Sequence, residues 1–154
     1  MSPHACVVVR VDPMIVGTGV DLAGIDRTMR AVDGPRGARF RARVFSASEV
    51  AYCESRGRVR GQSYAARFAA KEAVMKALGV GWGKDAGWLD IEVRREESGQ
   101  PGVALRGAAA ATAERRGITR IHLTLTHGEG LAIAFAVAEA LRGSEGESPD
   151  QSRL

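Results

Sequence analysis

The sequence predicts an α+β fold in which a mainly antiparallel sheet packs on one long helix. The helix is expected over residues 62–78, where apolar residues such as Phe68 and Met75 recur at helical spacing on one face. Strands are expected over residues 120–126 and 131–138, because apolar and polar residues alternate in the first and a short glycine-containing turn joins the two. Two strands joined by so short a turn run antiparallel.

Turn and capping residues place the elements of the first half. Residues 14–20 are a short apolar run with glycines and predict the first strand, and residues 24–33 predict a short helix or turn that ends at a Gly-Pro pair. Ser46 and Glu49 have the spacing of a capping box, in which each side chain accepts a hydrogen bond from a backbone amide at the helix start. A helix is therefore expected from there to about residue 54.

The second half begins with glycine-rich and basic residues. Residues 56–61 predict a mobile basic loop before the long helix, and Gly79 is expected to stop that helix. Strands are expected over residues 89–95 and 103–106, since the Ser, Gly and Pro between them are turn residues. An alanine-rich helix is expected over about residues 107–116.

At 154 residues and 16.3 kDa the chain fits one domain with a single core. Residues 1–13 are expected to be an N-terminal extension, residues 14–142 the single domain, and residues 143–154, rich in Ser, Gly and acidic residues, a disordered tail. No apolar run approaches the roughly 20 residues of a spanning helix, and the start lacks the pattern of a signal peptide. The expected compartment is the cytoplasm, without a membrane partner.

The formal charge of +4 is unevenly distributed. Six arginines lie between Arg27 and Arg43, where Asp33 is the sole acid. A localised basic segment indicates an acidic partner, either a nucleic acid or an acidic protein, and a solvated basic face is the alternative.

The cysteines and histidines argue against a zinc or redox site. Cys6 and Cys53 are spaced unlike any metal-binding or redox motif, and the chain has three histidines. Because structural zinc requires four closely grouped soft ligands, a hard cation on oxygen ligands fits this composition better.

The segment RFAAKEAVMKALG, residues 67–79, puts one carboxylate among three cations on the predicted helix. Arg67 and Lys71 are four residues apart, as are Glu72 and Lys76, so each pair lies on one helix face. One interpretation is a solvated face with helix ion pairs. The other is a surface that binds phosphate.

Two further motifs favour the second interpretation. The strand IVGTGVDL, residues 15–22, carries a carboxylate at Asp21, and TLTH, residues 124–127, ends in a histidine. In this order the three motifs resemble the holo-acyl-carrier-protein synthases, the small bacterial type of 4′-phosphopantetheinyl transferase, over about residues 14–140. The resemblance implies the compact fold of that family, assembled as a homotrimer with sites between subunits. It also implies transfer of 4′-phosphopantetheine from coenzyme A to a serine of an apo acyl carrier protein.

The resemblance implies a site that binds a divalent cation and coenzyme A. Mg²⁺, with Mn²⁺ as an alternative, is expected on the carboxylates of Asp21 and Glu72, because magnesium completes an octahedral shell with water and substrate oxygens. Catalytic roles are implied for Glu72, Lys76 and His127. The expected coenzyme A contacts are Arg67, Lys71, Lys76, Gly79 and His127. The expected contacts of the acyl carrier protein are Arg27, Arg39, Phe40 and Arg43.

Three of these roles have alternatives. For Asp21 the alternative is a carboxylate that caps the following turn. His127 is expected either to accept the serine proton or to hydrogen-bond a phosphate, and a metal-bound water is the alternative base. Lys71 lies about 100° around the helix from Glu72, so pairing or a surface position is the alternative to a coenzyme A contact.

The chain departs from the family pattern directly after His127. Many members carry Thr-Lys followed by an acidic residue and Tyr, whereas this chain has the sequence GEGL over residues 128–131. A lysine contact to coenzyme A is therefore absent, and Glu129 would repel a phosphate that it faced.

Three other functions compete with the transferase. The main one is a basic RNA-binding module without catalytic activity, but no aromatic stacking motif or RNA-binding signature is present, and no nucleic-acid partner is expected. A dinucleotide-binding enzyme is disfavoured because Gly17 and Gly19 are not followed by a third glycine at the required spacing. A catalytically idle homologue is the third, and the retention of the acids and His127 argues against it.

Overall fold

The computed structural model describes residues 12–142, in which helices and strands mix. Most of the expected N-terminal extension and all of the expected tail lie outside the described residues. Two single turns of 3₁₀ helix, Gly57–Val59 and Trp88–Asp90, accompany the main elements. These are, in chain order, β1 (Asp12–Gly24), α1 (Ile25–Asp33), α2 (Gly37–Val44), α3 (Ala47–Glu54), α4 (Arg60–Ala77), β2 (Ile91–Arg95), β3 (Pro101–Leu105), α5 (Gly107–Arg115), β4 (Ile118–Gly128) and β5 (Leu131–Arg142).

The strands form two antiparallel sheets, which confirms the predicted α+β class. The larger sheet has the order β1-β5-β4, and the smaller one pairs β2 with β3. In the larger sheet Asp21 lies opposite Ala134, and His127 lies opposite Ala132. A β-bulge interrupts the pairing of β1 with β5 between Ile15 and Gly17.

Helix α4 lies across the larger sheet and contacts it at very short range. The helix side of the interface is rich in buried alanines, and the facing alanines of β5 are buried as well. A Cβ built at Gly17 would overlap the carbonyl oxygen of Ala77, and one at Gly19 would overlap that of Ala73. Only glycine at these two positions lets β1 approach the helix backbone so closely.

The opposite face of the larger sheet is exposed and apolar. Because side chains alternate along β5, residues 131, 133 and 135 point away from α4. Val20 and Phe135, which pair across β1 and β5, are 55% and 42% exposed, and Leu22 and Ile133 continue the patch. We call these four side chains the outer sheet patch.

Capping and turn residues marked several element boundaries correctly. Ser46 and Glu49 form the predicted capping box at the start of α3, with both reciprocal hydrogen bonds. The long helix ends at Ala77, and Gly79 follows with a left-handed φ of 70°. Within the described part of the chain, no helix is long and apolar enough to cross a membrane.

Two local predictions are wrong or incomplete. The loop expected over residues 56–61 is helical, because Gly57–Val59 is a 3₁₀ turn and α4 already begins at Arg60. The Arg60 guanidinium fixes this junction through ion pairs with Asp33 at 2.9 Å and Glu54 at 2.8 Å. The basic segment also forms a helix, α2, that the sequence did not predict.

Candidate functional site

Two carboxylates lie where β1 crosses α4. Asp21 occupies the α4-facing side of β1, in alternation with Gly19, and its side chain is 20% exposed. Glu72 lies on α4 and is partly buried. Burial raises the pKa of Glu72, the nearby Asp21 charge raises it further, and Lys76 opposes both effects. The structure therefore brings together the two acids that were predicted to bind metal.

Lys76 is the cation of this carboxylate pair. It follows Glu72 by one helical turn, and its Nζ donates hydrogen bonds to Asp21 Oδ1 and to the Val20 carbonyl oxygen, both at 2.8 Å. The Lys76 side chain is 50% exposed, so the ammonium is accessible to a ligand from solvent. Asp21, Glu72 and Lys76 thus form one cluster, here called the acid-lysine cluster.

The acid-lysine cluster offers carboxylate oxygens and a position that already holds a positive charge. No group of three or more His, Cys, Asp or Glu side chains that could hold a metal ion occurs among the residues described. Mg²⁺ seldom has an all-protein cage and takes water and phosphate oxygens as further ligands. The donor set of Asp21 and Glu72 therefore fits such an ion, and Lys76 shows that a cation is held at Asp21.

His127 does not join the acid-lysine cluster within one chain. It shares the α4-facing side of the sheet with Asp21, but β5 lies between β1 and β4. Two strand spacings separate the backbones by about 10 Å. The side chain is exposed, and no hydrogen bond or ion pair to it occurs within residues 12–142.

The turn after His127 has a restricted conformation. Glu129 adopts a left-handed φ of 51° and Gly130 one of 76°, as in the two-residue turn of a tight hairpin. The Gly130 carbonyl oxygen accepts a hydrogen bond from the Ile25 amide at 2.8 Å, which ties the turn to the start of α1.

The structure contradicts the predicted contact between Lys71 and coenzyme A. The Lys71 ammonium is fully buried and lies 2.8 Å from Glu49 Oε2. It also donates to the carbonyl oxygens of Trp88, at 2.9 Å, and Ile91, which uses all three of its donors. Burial lowers the pKa of Lys71, and the Glu49 charge opposes that shift. Its ammonium is thus a core group with no donor left for a substrate.

Arg67 is buried as well, but it has no carboxylate partner within the described chain. Its guanidinium lies over the Tyr52 ring, 3.9 Å from the centroid, and its Nε is buried without a hydrogen-bond partner there. Arg56 stacks on the same ring at 5.5 Å. Two cations therefore share one aromatic ring. Gly79, the remaining expected contact, lies next to the Arg116 guanidinium.

The residues expected to bind the acyl carrier protein share one surface on α1 and α2. Arg27 and Phe40 line a groove of about 300 Å³ together with Leu22 and Phe68. A second, shallower groove of about 360 Å³ is lined by Arg36, Arg39, Phe40 and Arg43. Both grooves are lined by apolar side chains and by arginines, which suits an acidic, amphipathic partner.

Sequence reasoning missed two contacts around α4. Glu49 is more than a capping residue, because its Oε1 accepts the Val93 amide at 2.9 Å while Oε2 binds Lys71. Trp82, in the loop after α4, lies under the Arg43 guanidinium at 4.9 Å. No local spacing signals either contact, since the partners are far apart in the chain.

Known proteins with the same pattern of sequence and fold are enzymes. The family model described as "4′-phosphopantetheinyl transferase superfamily" matches residues 17–139. The holo-[acyl-carrier-protein] synthase of Anaeromyxobacter sp. (strain K) is 51% identical over 128 residues, which cover 82% of this chain and 97% of that protein. That of Solibacter usitatus is 44% identical over 126 residues, with coverage of 82% and 99%.

Solved structures agree with the sequence comparison. The holo-[acyl-carrier-protein] synthase of Neisseria meningitidis superposes with a TM-score of 0.73 at 30% identity, covering 81% of this chain and 98% of the other. The enzyme of Helicobacter pylori, solved in complex with coenzyme A, has a TM-score of 0.69 at 30% identity, with coverage of 79% and 98%.

Proposed function

This chain belongs to the 4′-phosphopantetheinyl transferase superfamily as a holo-[acyl-carrier-protein] synthase, and from this premise we propose that it transfers 4′-phosphopantetheine from coenzyme A to a serine of an apo acyl carrier protein. The observation that supports the assignment most strongly is the acid-lysine cluster, because it combines oxygen ligands with a phosphate-binding cation. The proposed carrier serves fatty acid or polyketide biosynthesis, and the proposed compartment is the cytoplasm.

We propose that Asp21 and Glu72 hold Mg²⁺, or Mn²⁺ in its place. When bound, the ion neutralises charge on the coenzyme A pyrophosphate and so makes the phosphorus accessible to an oxygen nucleophile. Asp21 presents its carboxylate from a strand that is packed against the helix of Glu72, so both ligands stand on rigid elements.

In the proposed reaction the serine oxygen forms a bond to phosphorus and the phosphorus–oxygen bond to the nucleotide phosphate breaks. Lys76 would hold the negative charge that develops on that leaving phosphate. The serine proton would pass to His127, or to water if His127 instead hydrogen-bonds a phosphate. Arg67 and Gly79 remain proposed contacts of coenzyme A. We propose that the arginine-rich stretch near Arg58 compensates for the lysine that this chain lacks after His127.

We further propose a homotrimer with active sites between subunits. The outer sheet patch leaves Val20, Leu22, Ile133 and Phe135 in water, and exposed apolar patches of this kind mark interfaces. A site completed by a neighbouring subunit would also account for the two strand spacings between His127 and Asp21. Phe135→Glu should therefore lower the mass measured by light scattering to that of a monomer, with Trp82→Glu as an exposed aromatic control.

The proposed carrier surface consists of Arg27, Arg39, Phe40 and Arg43. Arginines beside a partly exposed Phe provide steering by charge and an apolar anchor. Arg27→Glu should raise KM for the carrier by roughly tenfold or more, in line with the loss of an interfacial charge pair, and leave KM for coenzyme A unchanged. Equal changes in both KM values would argue against this docking surface.

The experiment that tests the function is intact-mass analysis of an apo acyl carrier protein after incubation with this protein, coenzyme A and Mg²⁺. We expect a gain of one phosphopantetheine group, which disappears with EDTA and in Asp21→Ala and Glu72→Ala. Asp26→Ala, which removes a carboxylate from α1 outside the cluster, is the matched control and should keep activity.

No gain on any of several carriers would contradict the proposal. RNA binding would then be measured as a function of salt, because phosphate contacts with RNA weaken steeply as ionic strength rises.

A further inference from the structure

Lys76 and a divalent cation would draw on the same carboxylate, that of Asp21. The Lys76 Nζ lies 2.8 Å from Asp21 Oδ1, and a metal held by Asp21 and Glu72 would draw on the same carboxylate. The Lys76 charge also acts on Glu72, which feels the Asp21 charge at the same time. The ammonium is therefore the counter-ion of Asp21 in the metal-free protein and lies close enough to Glu72 to act on its charge.

We propose that Lys76 is a placeholder cation, which pairs with Asp21 in the metal-free protein and leaves Asp21 when a divalent cation binds. This inference rests on the proposed function, because it takes the metal site on these two acids as given. It adds an exchange of cations at one carboxylate, with Lys76 released toward solvent and substrate.

The structure allows such an exchange. Lys76 is 50% exposed, and its ammonium is held only by Asp21 and the Val20 carbonyl among the residues described. Its four-carbon stem gives the ammonium several alternative positions around the cluster. By contrast, Asp21 is 20% exposed and sits on a strand that packs tightly against α4. The lysine is thus the partner that moves, and the carboxylate stays in place.

The exchange couples two binding events. In the metal-free protein the ammonium spends two of its three donors on Val20 and Asp21, and the Asp21 charge weakens its attraction for a phosphate. Once a divalent cation has taken its place, the same ammonium becomes free for the phosphate of coenzyme A. By linkage, metal binding then raises the affinity for coenzyme A, and coenzyme A raises the affinity for the metal.

The test is Mn²⁺ binding to the full chain without coenzyme A, measured by isothermal titration calorimetry and by the electron paramagnetic resonance signal of free Mn²⁺. Lys76→Gln should bind Mn²⁺ about fivefold to tenfold more tightly than the wild type, because a competing cation on Asp21 is gone. Lys76→Arg, which keeps the charge, should resemble the wild type. Lys84→Gln removes an exposed lysine outside the cluster and should change nothing.

A second measurement follows the lysine itself. In the metal-free protein the Lys76 ammonium protons are bonded to Asp21 and Val20, so their exchange with water should be slowed in ¹⁵N-detected NMR spectra. Addition of Mg²⁺ should return them to fast exchange, whereas the buried Lys71 ammonium should remain protected throughout.

The outcomes separate this inference from the metal site on which it rests. Equal affinity of Lys76→Gln and wild type, with binding lost in Asp21→Asn, would overturn the placeholder role and leave the metal site intact. Undiminished Mn²⁺ binding in Asp21→Asn would remove both. Tighter binding in Lys76→Gln together with loss in Asp21→Asn would support both.

Discussion

Helix α4 carries two lysines five residues apart, and each is paired with a carboxylate at 2.8 Å. Lys71 pairs with Glu49 in the core, where both side chains are fully buried and every donor of the ammonium is used. Lys76 pairs with Asp21 at the surface, where half of the lysine side chain is in water. A lysine and a carboxylate thus form a buried structural pair in one place and, in our proposal, an exchangeable pair in the other, and burial makes the difference.

The largest expected effect on stability comes from breaking the buried pair. Lys71→Ala should lower the free energy of unfolding by about 3 to 5 kcal/mol, because it leaves the Glu49 carboxylate buried without its cation. Urea unfolding followed by circular dichroism measures the loss. The double variant Glu49→Gln with Lys71→Met should recover part of it, since no isolated charge then remains. A loss below about 1 kcal/mol in Lys71→Ala would mean that the pair contributes no more than a surface ion pair does.

The next effect concerns the interface between β1 and α4, which positions Asp21 against Lys76. Gly19→Ala places a methyl group against the Ala73 carbonyl oxygen and should cost about 1 to 3 kcal/mol through overpacking. It should also move Asp21, two residues along β1, relative to Glu72. Activity should therefore fall even at temperatures well below the midpoint of thermal unfolding. Gly128→Ala is the matched control, because a Cβ there meets no atom within 4 Å. Equal behaviour of the two variants would contradict the close approach of β1 and α4.

Arg60, at the start of α4, is intermediate in exposure between Lys71 and Lys76. Arg60 is partly exposed and bonded to Asp33 and Glu54, and these bonds lower the pKa of both acids. Groups with lowered pKa add stability above their ordinary pKa, and that stability disappears as pH falls through the lowered values. Arg60→Gln should therefore cost up to about 1 kcal/mol at pH 7 and less in acid. A difference in urea midpoint between wild type and Arg60→Gln that grows toward low pH would contradict this prediction.

The smallest effect on stability is expected at Lys76. Lys76→Ala should change the free energy of unfolding by less than about 1 kcal/mol, as exposed ion pairs do, while transfer activity falls sharply. Thermal unfolding and the intact-mass assay on the same sample separate the two effects. A stability loss as large as that of Lys71→Ala would end the distinction between the two lysines.

The sequence predicted those parts of the fold in which one residue decides the local structure. The capping box at Ser46, the stop at Gly79 and the alternation in β4 were all correct. Helix α2 was missed because it begins at a residue without a side-chain cap and depends on distant aromatic contacts. One of these is the stacking of Phe40 on Phe68, with ring centroids 6.4 Å apart.

The candidate site, too, was predicted from the sequence only in part. Spacing alone put Glu72 and Lys76 on one helix face, but it did not reveal which lysine of the motif is buried. That depends on Glu49, which is 22 residues before Lys71 in the chain. The approach of Asp21 to Glu72 spans an even longer separation, and only the resemblance to a known family predicted it.

The β-bulge between Ile15 and Gly17 separates the chemistry of β1 from the chain before it. From Gly17 onward the strand pairs with β5 in an unbroken register through Asp21, whereas the residues before the bulge follow a shifted register. Because a one-residue slip turns every side chain of a strand to the other face, an unabsorbed shift would turn Val20 toward α4 and Asp21 away from it. The bulge takes up such a shift before it reaches Asp21. A change of length at the amino-terminal end of this strand would therefore leave the register of Asp21 against β5 unchanged.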